Sequence, residues 1–207
     1  MDNILTFKPL KSLATKIFSG APLYSISKLQ ENINGLPVVN IKDINDGQIL
    51  TESLRVFSIK DFKNAEHYMV YPEDVLLTCR GAQIKTAVVS TNIEKLLITS
   101  NIISIRLSKQ ILPKFLVAYL NTQQGQRALL ANATSTVQLT LTVSDLGKTI
   151  IPVPPLSLQE KIVNLFNAVE EQYRLNLEAV NLRKAIANQT ISDIFKEYQK
   201  KEAKKHG

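Results

Sequence analysis

Four polar stretches of the sequence carry the side chains best suited to bind a polyanion. They lie between apolar runs and read NIKDINDG (40–47), TCRGAQIKTA (78–87), ITSN (98–101) and NATSTVQ (132–138). Arg and Lys bind phosphates or read guanine, whereas Asn and Gln pair with the adenine edge. Backbone turns also need Asn, Asp, Gly and Ser. These loops alone therefore leave two interpretations open, nucleic-acid contact and plain turn chemistry.

Side chains for catalysis are sparse by comparison. The histidines His67 and His206 and the single Cys79 are far apart, and no metal-ligand spacing or phosphate-binding glycine motif occurs in the sequence. VPPL (153–156) lacks the amide or carboxylate and the aromatic ring of an amino-methyltransferase motif. EAK (202–204) lies in a charged tail and not after a strand, as it would in a nuclease site. We therefore expect a non-catalytic chain with no metal site and no cofactor of its own.

Length and composition indicate the number of domains, the cellular compartment and the charge of the partner. Its 207 residues are 44% hydrophobic and include no apolar run of about 18, so we expect one folded domain with an appendage and no membrane span. The first residues lack the pattern of a secretory signal, and a single cysteine suits a reducing compartment, which predicts a cytoplasmic location. The net charge of +7 favours a polyanionic partner. Residues 1–160 hold 16 Lys and Arg against 12 Asp and Glu.

Short apolar runs predict an α+β fold with a mixed sheet. Runs rich in Val, Ile, Leu and Thr and bounded by Gly, Asn, Asp or Pro are typical of strands. The runs are 36–44, 74–81, 86–90, 98–107, 137–141 and 148–153. Apolar residues at helical spacing over 112–133 predict two short helices with a break at Gly125.

The last quarter of the sequence predicts a single long helix. Ser157 and Glu160 have the spacing of a capping box that would begin it, and no proline or glycine follows until Gly207. About 45 helical residues would span about 70 Å, more than the width of a small domain. Apolar residues recur on two sides, so we expect the helix to bury them against another chain; the alternative is a hairpin folded onto its own domain. The predicted domains are 1–155 and 156–207.

Several segments, taken in order, resemble the specificity (S) subunits of Type I restriction–modification systems. They are FKPLKSLATKIFSGAP (7–22), LPVVNIKDIN (36–45), EDVLLTCRGAQIKTAVVS (73–90), SNIISIRL (100–107), LPKFLVAYLNT (112–122) and IPVPPLSLQEKIV (151–163). The last segment is the most specific, because it keeps the prolines and Ile162 of the motif that opens the spacer helix of the family. EDVLLTCRG carries Glu73 where the family commonly has glycine.

The resemblance implies a DNA target-recognition domain followed by a spacer helix. Members of the family normally carry two such units, one for each half of a split DNA site, with their helices packed antiparallel. The helices also dock methyltransferase subunits, which methylate adenine N6 with S-adenosylmethionine, and restriction subunits can add translocation and cleavage that require ATP and Mg. With one unit, this chain is expected to form an antiparallel coiled coil with a second copy and to direct the complex to a palindromic split target.

We expect recognition to come from the polar loops and from the turn at Ser19 and Gly20. Arg80, Lys42 and Lys85 are assigned mainly to phosphates. The residues assigned to base edges are Gln83, Asn101, Ser135 and Gln138. The complete set of candidate DNA-contacting residues is Ser19, Gly20, Tyr24, Lys42, Asp43, Asn45, Arg80, Gln83, Lys85, Ser100, Asn101, Thr134, Ser135, Thr136 and Gln138. The candidate dimerisation residues are Ile162, Leu165, Val169, Tyr173, Leu182, Ile186 and Ile194.

Three alternatives remain open at the level of the sequence. The first alternative is a truncated or silent S fragment that binds weakly or needs a different half as its partner. The second is a coiled-coil adaptor whose first domain binds protein, and the third is a self-contained enzyme. A DNA reader loses affinity steeply with rising salt, whereas an adaptor binds no DNA. Whether the purified chain forms dimers or stays monomeric distinguishes a symmetric specificity subunit from a fragment.

Overall fold

Strands dominate the first part of the chain in the computed structural model, which describes residues 4–45, 47–60, 62–81, 83–131 and 140–203. The strands are β1 (Thr6–Pro9), β2 (Ala14–Ser19), β3 (Glu31–Val39), β4 (Ile44–Asn45), β5 (Gln48–Ile49), β6 (Arg55–Phe57), β7 (Met69–Val70), β8 (Val75–Thr78), β9 (Thr86–Val88), β10 (Leu96–Ile98), β11 (Ile102–Leu107) and β12 (Ile150–Val153). The α-helices are α1 (Leu10–Leu13), α2 (Leu23–Ile26), α3 (Pro113–Leu120), α4 (Gln123–Leu130), α5 (Val143–Lys148) and α6 (Leu156–Ala203). The α+β class and the long final helix predicted from the sequence are confirmed.

Two four-stranded sheets organise the core. One has the order β2-β11-β8-β9 with antiparallel neighbours, and the other has the order β6-β3-β10-β7, in which β3 and β10 are parallel. An apolar cluster that includes Leu76, Ile98 and Ile102 joins residues of both sheets. A second cluster, with Ile26 and Leu97, packs α2 against the sheet that contains β3. The sheet β6-β3-β10-β7 is mixed, because β3 and β10 are parallel and its other neighbouring strands are antiparallel.

Some predicted elements have other bounds in the structure: the run 36–44, for example, leaves β3 at Val39 and enters β4 only at Ile44. The apolar run 98–107 is two strands, β10 and β11, separated by the turn at Thr99–Asn101. The helical stretch breaks at Asn121 and Thr122, and not at Gly125, which lies inside α4. The Thr122 hydroxyl caps α4 by accepting a hydrogen bond from the amide of Gly125. A Cβ on Gly125 would lie 2.2 Å from the carbonyl oxygen of Tyr119, so this glycine allows a close approach of the chain rather than a break.

The final helix begins one residue before the predicted cap. The amides of Leu158 and Gln159 donate to the carbonyl of Pro155, so α6 starts at Leu156 and Ser157 lies inside its first turn. The expected capping box is therefore wrong. The described residues form two compact units, which divide between Val163 and Asn164. No helix in the described part of the chain is both long and apolar enough to cross a membrane.

Candidate nucleic-acid interface

One end of the sheet β2-β11-β8-β9 gathers most of the candidate loops. Because neighbouring strands are antiparallel, the end of β2 lies beside the start of β11, and the end of β8 lies beside the start of β9. In the register, Ser19 pairs with Ile103, Thr78 with Ile102, and Leu77 with Thr86. We name this surface the loop end and define it by residues 19–21, 79–81, 83–85 and 99–101.

Hydrogen bonds to backbone carbonyls fix these loops to one another. The hydroxyl of Ser19 donates to the carbonyl of Ser100 over 3.3 Å, and the amide of Cys79 donates to the carbonyl of Asn101 over 2.9 Å. The amide of Ser100 donates in turn to the carbonyl of Ala21 over 2.7 Å. Three segments far apart in the sequence therefore meet with their backbones ordered, and their polar side chains share one surface.

The turn between β8 and β9 projects the cationic and amide groups of the loop end. Arg80 and Gln83 are exposed, and Gly81 has a φ of 131°, a conformation that favours glycine. Lys85 is half-buried, and its amide donates to the hydroxyl of Thr78 over 2.9 Å. Arg80 forms a β-bridge with Thr140. This bridge holds the backbone of Arg80 while its side chain is directed to solvent.

Two side chains that sequence reasoning missed brace this turn from the helices. The side-chain amide of Gln126 donates to the carbonyls of Ile84 and Leu120 over 2.9 and 2.8 Å. The hydroxyl of Thr86 donates to the side-chain carbonyl of Asn121 over 2.6 Å. Amides at a junction between two short helices look like ordinary exposed polar residues in a sequence. The polar cluster NTQQGQ (121–126) was the signal available for them.

The segment after β3 lies beside the same sheet. Gly47 forms a bridge with Ala87, so the hairpin of β4 and β5, in which Asn45 ends β4, is next to β9. Lys42 is exposed. Asp43, by contrast, is only 1% exposed, and its carboxylate accepts hydrogen bonds from the Asn40 amide and the Ser53 hydroxyl over 2.9 and 3.0 Å. We therefore correct the expected DNA contact of Asp43 to a role in fixing this turn.

Gly20 and Tyr24 have different parts in the neighbouring turn. Gly20 is buried, and a Cβ at this position would lie 2.3 Å from the carbonyl oxygen of Ile98. Its expected DNA contact is therefore corrected to close backbone packing. Tyr24 is 71% exposed, and the ammonium group of Lys28 lies 4.0 Å from the centre of its ring. This ring and its cation remain open to a ligand.

The fourth polar stretch is described only in part. Thr134, Ser135, Thr136 and Gln138 lie outside the described residues. The chain that follows them returns to the loop end, because the amide of Leu141 donates to the carbonyl of Cys79 over 3.0 Å. Burial raises the pKa of the Cys79 thiol, which makes it a poor nucleophile. Among the described residues, no group of three His, Cys, Asp or Glu side chains could hold a metal ion.

We name the opposite end of the same sheet, where β8 begins and β11 ends, the base end, in the sense of the bottom of the sheet. Polar side chains at this end are hydrogen-bonded to other groups of the protein. Arg106 donates two hydrogen bonds to the buried carboxylate of Asp74, over 2.9 and 2.7 Å, and these bonds raise the pKa of the guanidinium. Gln159 is fully buried; it accepts from the Leu112 amide over 2.8 Å and donates to the carbonyls of Gln110 and Pro154. This glutamine joins the first turn of α6 to the chain that leaves β11.

The predicted dimerisation residues do not share one face of α6. At about 100° per residue, Ile162 and Val169 lie within about 40° of Tyr173, whereas Leu182 and Ile186 lie about 180° and 220° away from it. Leu165 and Ile194 flank the first group. We name the group around Tyr173 the long stripe and the group of Leu175, Leu182 and Ile186 the short patch. Both are open, with Leu165 67% and Leu182 62% exposed.

An α+β domain with polar loops at one sheet end, followed by a helix with two open apolar sides, is an architecture suited to binding, and the described residues offer no cluster of metal ligands. The family model described as Type I restriction modification DNA specificity domain matches residues 6–188. The chain therefore belongs to this family, whose members are the non-catalytic DNA-recognition components of Type I restriction–modification systems.

Individual relatives agree with this membership. The chain is 27% identical over 158 residues to the Type I restriction enzyme EcoBI specificity subunit of Escherichia coli, covering 72% of this chain and 33% of that subunit. The fold is similar to the HsdS subunit from Thermoanaerobacter tengcongensis, with a TM-score of 0.57, 22% identity and coverage of 81% and 38% of the two chains. A chain from a type I R-M system solved for its complex assembly gives a TM-score of 0.62, 22% identity and coverage of 83% and 40%. The chain thus spans well under half the length of these relatives.

Proposed function

We propose that the loop end reads one half of a split DNA target and thereby directs a Type I restriction–modification complex to its site. The convergence of three polar loops on one end of one sheet, in a chain of the specificity family, carries this proposal. Arg80, Lys42 and Lys85 suit phosphates, and Gln83 and Asn101 suit base edges. The exposed ring of Tyr24 adds a stacking or sugar contact.

The chemistry belongs to partner subunits in this proposal. Methyltransferase subunits bind S-adenosylmethionine, and a restriction subunit binds ATP and Mg. This chain binds double-stranded DNA and places the complex at its target. The buried, poorly nucleophilic thiol of Cys79 agrees with a binding surface more than with a reaction centre. Because such a complex acts on chromosomal and incoming DNA, its proposed location is the cytoplasm.

The long stripe is proposed to pair with the same stripe of a second copy. A two-fold antiparallel pair would bring two recognition domains to one DNA duplex, and each would meet an identical half-site. The stripe is apolar over most of α6, and its members Val169 and Tyr173 are both 57% exposed. The short patch lies on the other side of the helix and stays exposed in such a pair. We propose that a helix of a methyltransferase subunit packs against it.

DNA binding tests the first part of the proposal. Replacing Arg80 with Ala should lower affinity for the target duplex about tenfold at moderate salt, because a charge-assisted contact is worth about 1.5 kcal/mol. Replacing Lys109, an exposed lysine just beyond the base end, removes the same charge and serves as the matched control. Equal, small effects of the two variants in a fluorescence-anisotropy titration would contradict the role of the loop end.

Dimerisation tests the second part. Val169→Glu should convert the dimer into monomers in analytical ultracentrifugation, because the introduced carboxylate would be buried in the interface between the two helices. The matched variant, Leu182→Glu, should leave the dimer intact and weaken methyltransferase binding. The reverse pattern would assign the seam to the short patch. A monomeric wild-type chain would instead favour a fragment that pairs with a different half.

A further inference from the structure

We propose that a second site, a lysine-lined cleft beside β2, binds phosphates of the DNA backbone outside the bases read by the loop end. This inference rests on the proposed function, because it extends the same DNA footprint. The cleft lies between α1, β2 and α5 and has a volume of about 350 Å³. Lys11, Lys16 and Lys148 line it, together with the hydroxyl-bearing Thr15 and Ser144. We name it the lysine cleft.

The lysine cleft holds positive charge that nearby carboxylates offset only in part. Its lining contains no Asp or Glu. The ammonium of Lys148 lies 3.5 Å from the Asp145 carboxylate, whereas no carboxylate in the described part of the chain lies within 4 Å of the ammonium of Lys11 or Lys16. Lys16 also stands directly across from Arg106 in the β2–β11 pairing. Arg106 is already paired with Asp74, so the charge open to an anion is that of Lys11 and Lys16, and the Lys16 ammonium lies 4.3 Å from the centre of the Phe18 ring.

A second cleft on the same unit shows that this charge is not general. It lies near the base end, has a volume of about 340 Å³ and is lined by Glu73 and Asp74 as well as by Arg106 and Lys109. Carboxylates and cations are mixed there, and Asp74 and Arg106 are already paired. The two clefts are similar in size, but the lysine cleft alone of this pair has a lining that is cationic without acidic groups.

The backbone around the lysine cleft is fixed. The amide of Leu10 donates to the carbonyl of Thr149 over 2.9 Å, which ties α1 to the residue that follows α5. Gly147 of α5 faces Lys11 of α1, and a Cβ on Gly147 would lie 3.4 Å from the Cβ of Lys11, which is an ordinary contact distance between packed helices. The hydroxyl of Thr15 donates to the carbonyl of Arg106 over 3.1 Å. The three lysines therefore project from a preformed frame, which limits the entropy lost when they hold an anion.

The position of the cleft favours DNA over an acidic protein surface. β2 runs from the lysine cleft to Ser19 at the loop end, and a rise of about 3.3 Å per residue puts Lys16 about 10 Å from Ser19. That distance corresponds to about three base pairs along one DNA strand. α5 also begins just after Leu141, which is hydrogen-bonded to Cys79 at the loop end. A duplex seated on the loop end would thus carry its flanking backbone toward the cleft, where lysines act as point charges for phosphate.

Salt-dependent binding tests this assignment. The double variant Lys11→Ala/Lys16→Ala keeps the ion pair between Lys148 and Asp145 and should fold as the wild type does, checked by its thermal midpoint. For the full chain with its methyltransferase partner, the slope of log affinity against log salt should fall by about 0.9 for each lysine that holds a phosphate. Affinity for target and unrelated duplexes should fall by the same factor, which leaves their ratio unchanged. Lys60→Ala/Lys63→Ala removes equal charge from exposed lysines outside the cleft and should change the slope far less.

Each other outcome overturns the inference in a recognisable way. If Arg80→Ala weakens binding but the cleft variant matches its control, the lysine cleft binds no DNA and the proposed function stands. A changed ratio of target to unrelated affinity would mean that the cleft reads bases. Unchanged DNA binding combined with weaker association of the methyltransferase subunit would make the cleft a protein-docking site. A wild-type complex that binds no duplex at any salt concentration would overturn the proposed function and this inference together.

Discussion

The two ends of the sheet β2-β11-β8-β9 use similar residue types for opposite purposes. At the base end, Arg106 is held by two hydrogen bonds to the buried Asp74, and the amide group of Gln159 makes three hydrogen bonds. At the loop end, Arg80 and Gln83 are exposed, and the contacts that fix their turn within the described residues include the backbone bridge of Arg80 to Thr140. An arginine and a glutamine thus stabilise the fold at one end and remain available to a ligand at the other.

This difference shows what makes a polar residue a candidate for recognition. Its backbone must be ordered, so that the side chain is presented at a set position, while the side chain itself must lack a strong internal partner. Asp43 fails the second condition, because the Asn40 amide and the Ser53 hydroxyl occupy its carboxylate. We therefore expect substitutions at the base end to change stability and substitutions at the loop end to change DNA binding.

Replacing Arg106 with Ala is expected to have the largest effect on stability. It leaves the buried carboxylate of Asp74 without its cation, although the Tyr71 amide still donates to that carboxylate. Because the Arg106 side chain is 38% exposed, the loss is smaller than for a fully buried pair, and the free energy of unfolding should fall by about 2 kcal/mol. Urea unfolding followed by circular dichroism measures this loss. Arg106→Lys, which keeps the charge without the two-pronged geometry, should fall between the variant and the wild type. A loss below about 0.5 kcal/mol would remove the contrast between the two ends.

Replacing Gln83 with Ala should leave stability almost unchanged and alter recognition. If its amide reads a base edge, the variant should lose about 1–3 kcal/mol of discrimination at one base pair of the target. Competition binding against duplexes substituted at each position measures this effect. Gln189, an exposed glutamine on α6, provides a matched control. A uniform loss of affinity over all sequences would assign Gln83 to the backbone instead of a base.

Replacing Glu73 with Gly should have the smallest effect and should be favourable. The amide of Asp74 donates to the carbonyl of Tyr71, which closes a turn with Pro72 second and Glu73 third. Glu73 has a φ of 71°, where glycine is preferred at this position of a turn. The variant should gain about 0.5 kcal/mol in the free energy of unfolding, since relief of strain exceeds the added chain entropy. A clear destabilisation would show that the Glu73 side chain is needed at the base end.

Local patterns in the sequence predicted the class of fold but not the fate of single polar residues. Strands rich in Val and Ile, the long helix and the polar loops follow from residue type and spacing alone. The break at Thr99–Asn101 was included in the strand predicted over 98–107, because the turn depends on hydrogen bonds to Ala21 and Cys79, far away in the chain. The burial of Asp43 and the bracing by Gln126 depend on such distant contacts in the same way.

The helix shows the same limit in another form. The sequence indicates that α6 is apolar on two sides, yet the set chosen for dimerisation combined Val169 with Leu182. Helical geometry separates these residues by about 140°. A periodic pattern identifies how many apolar faces exist, whereas the choice of partner for each face depends on a surface that lies outside this chain.

The most direct test of the central claim is a map of methylated adenines in the genome that encodes this chain. Maps would be compared for the intact gene, its deletion, and complementation with wild type, an Arg80→Ala/Gln83→Ala variant or the Arg106→Lys variant. We expect deletion to abolish methylation at one split palindromic motif, wild type and Arg106→Lys to restore it, and the loop-end variant to leave it weakened or altered. A map that the deletion leaves unchanged would contradict the claim that the loop end directs a methyltransferase to DNA.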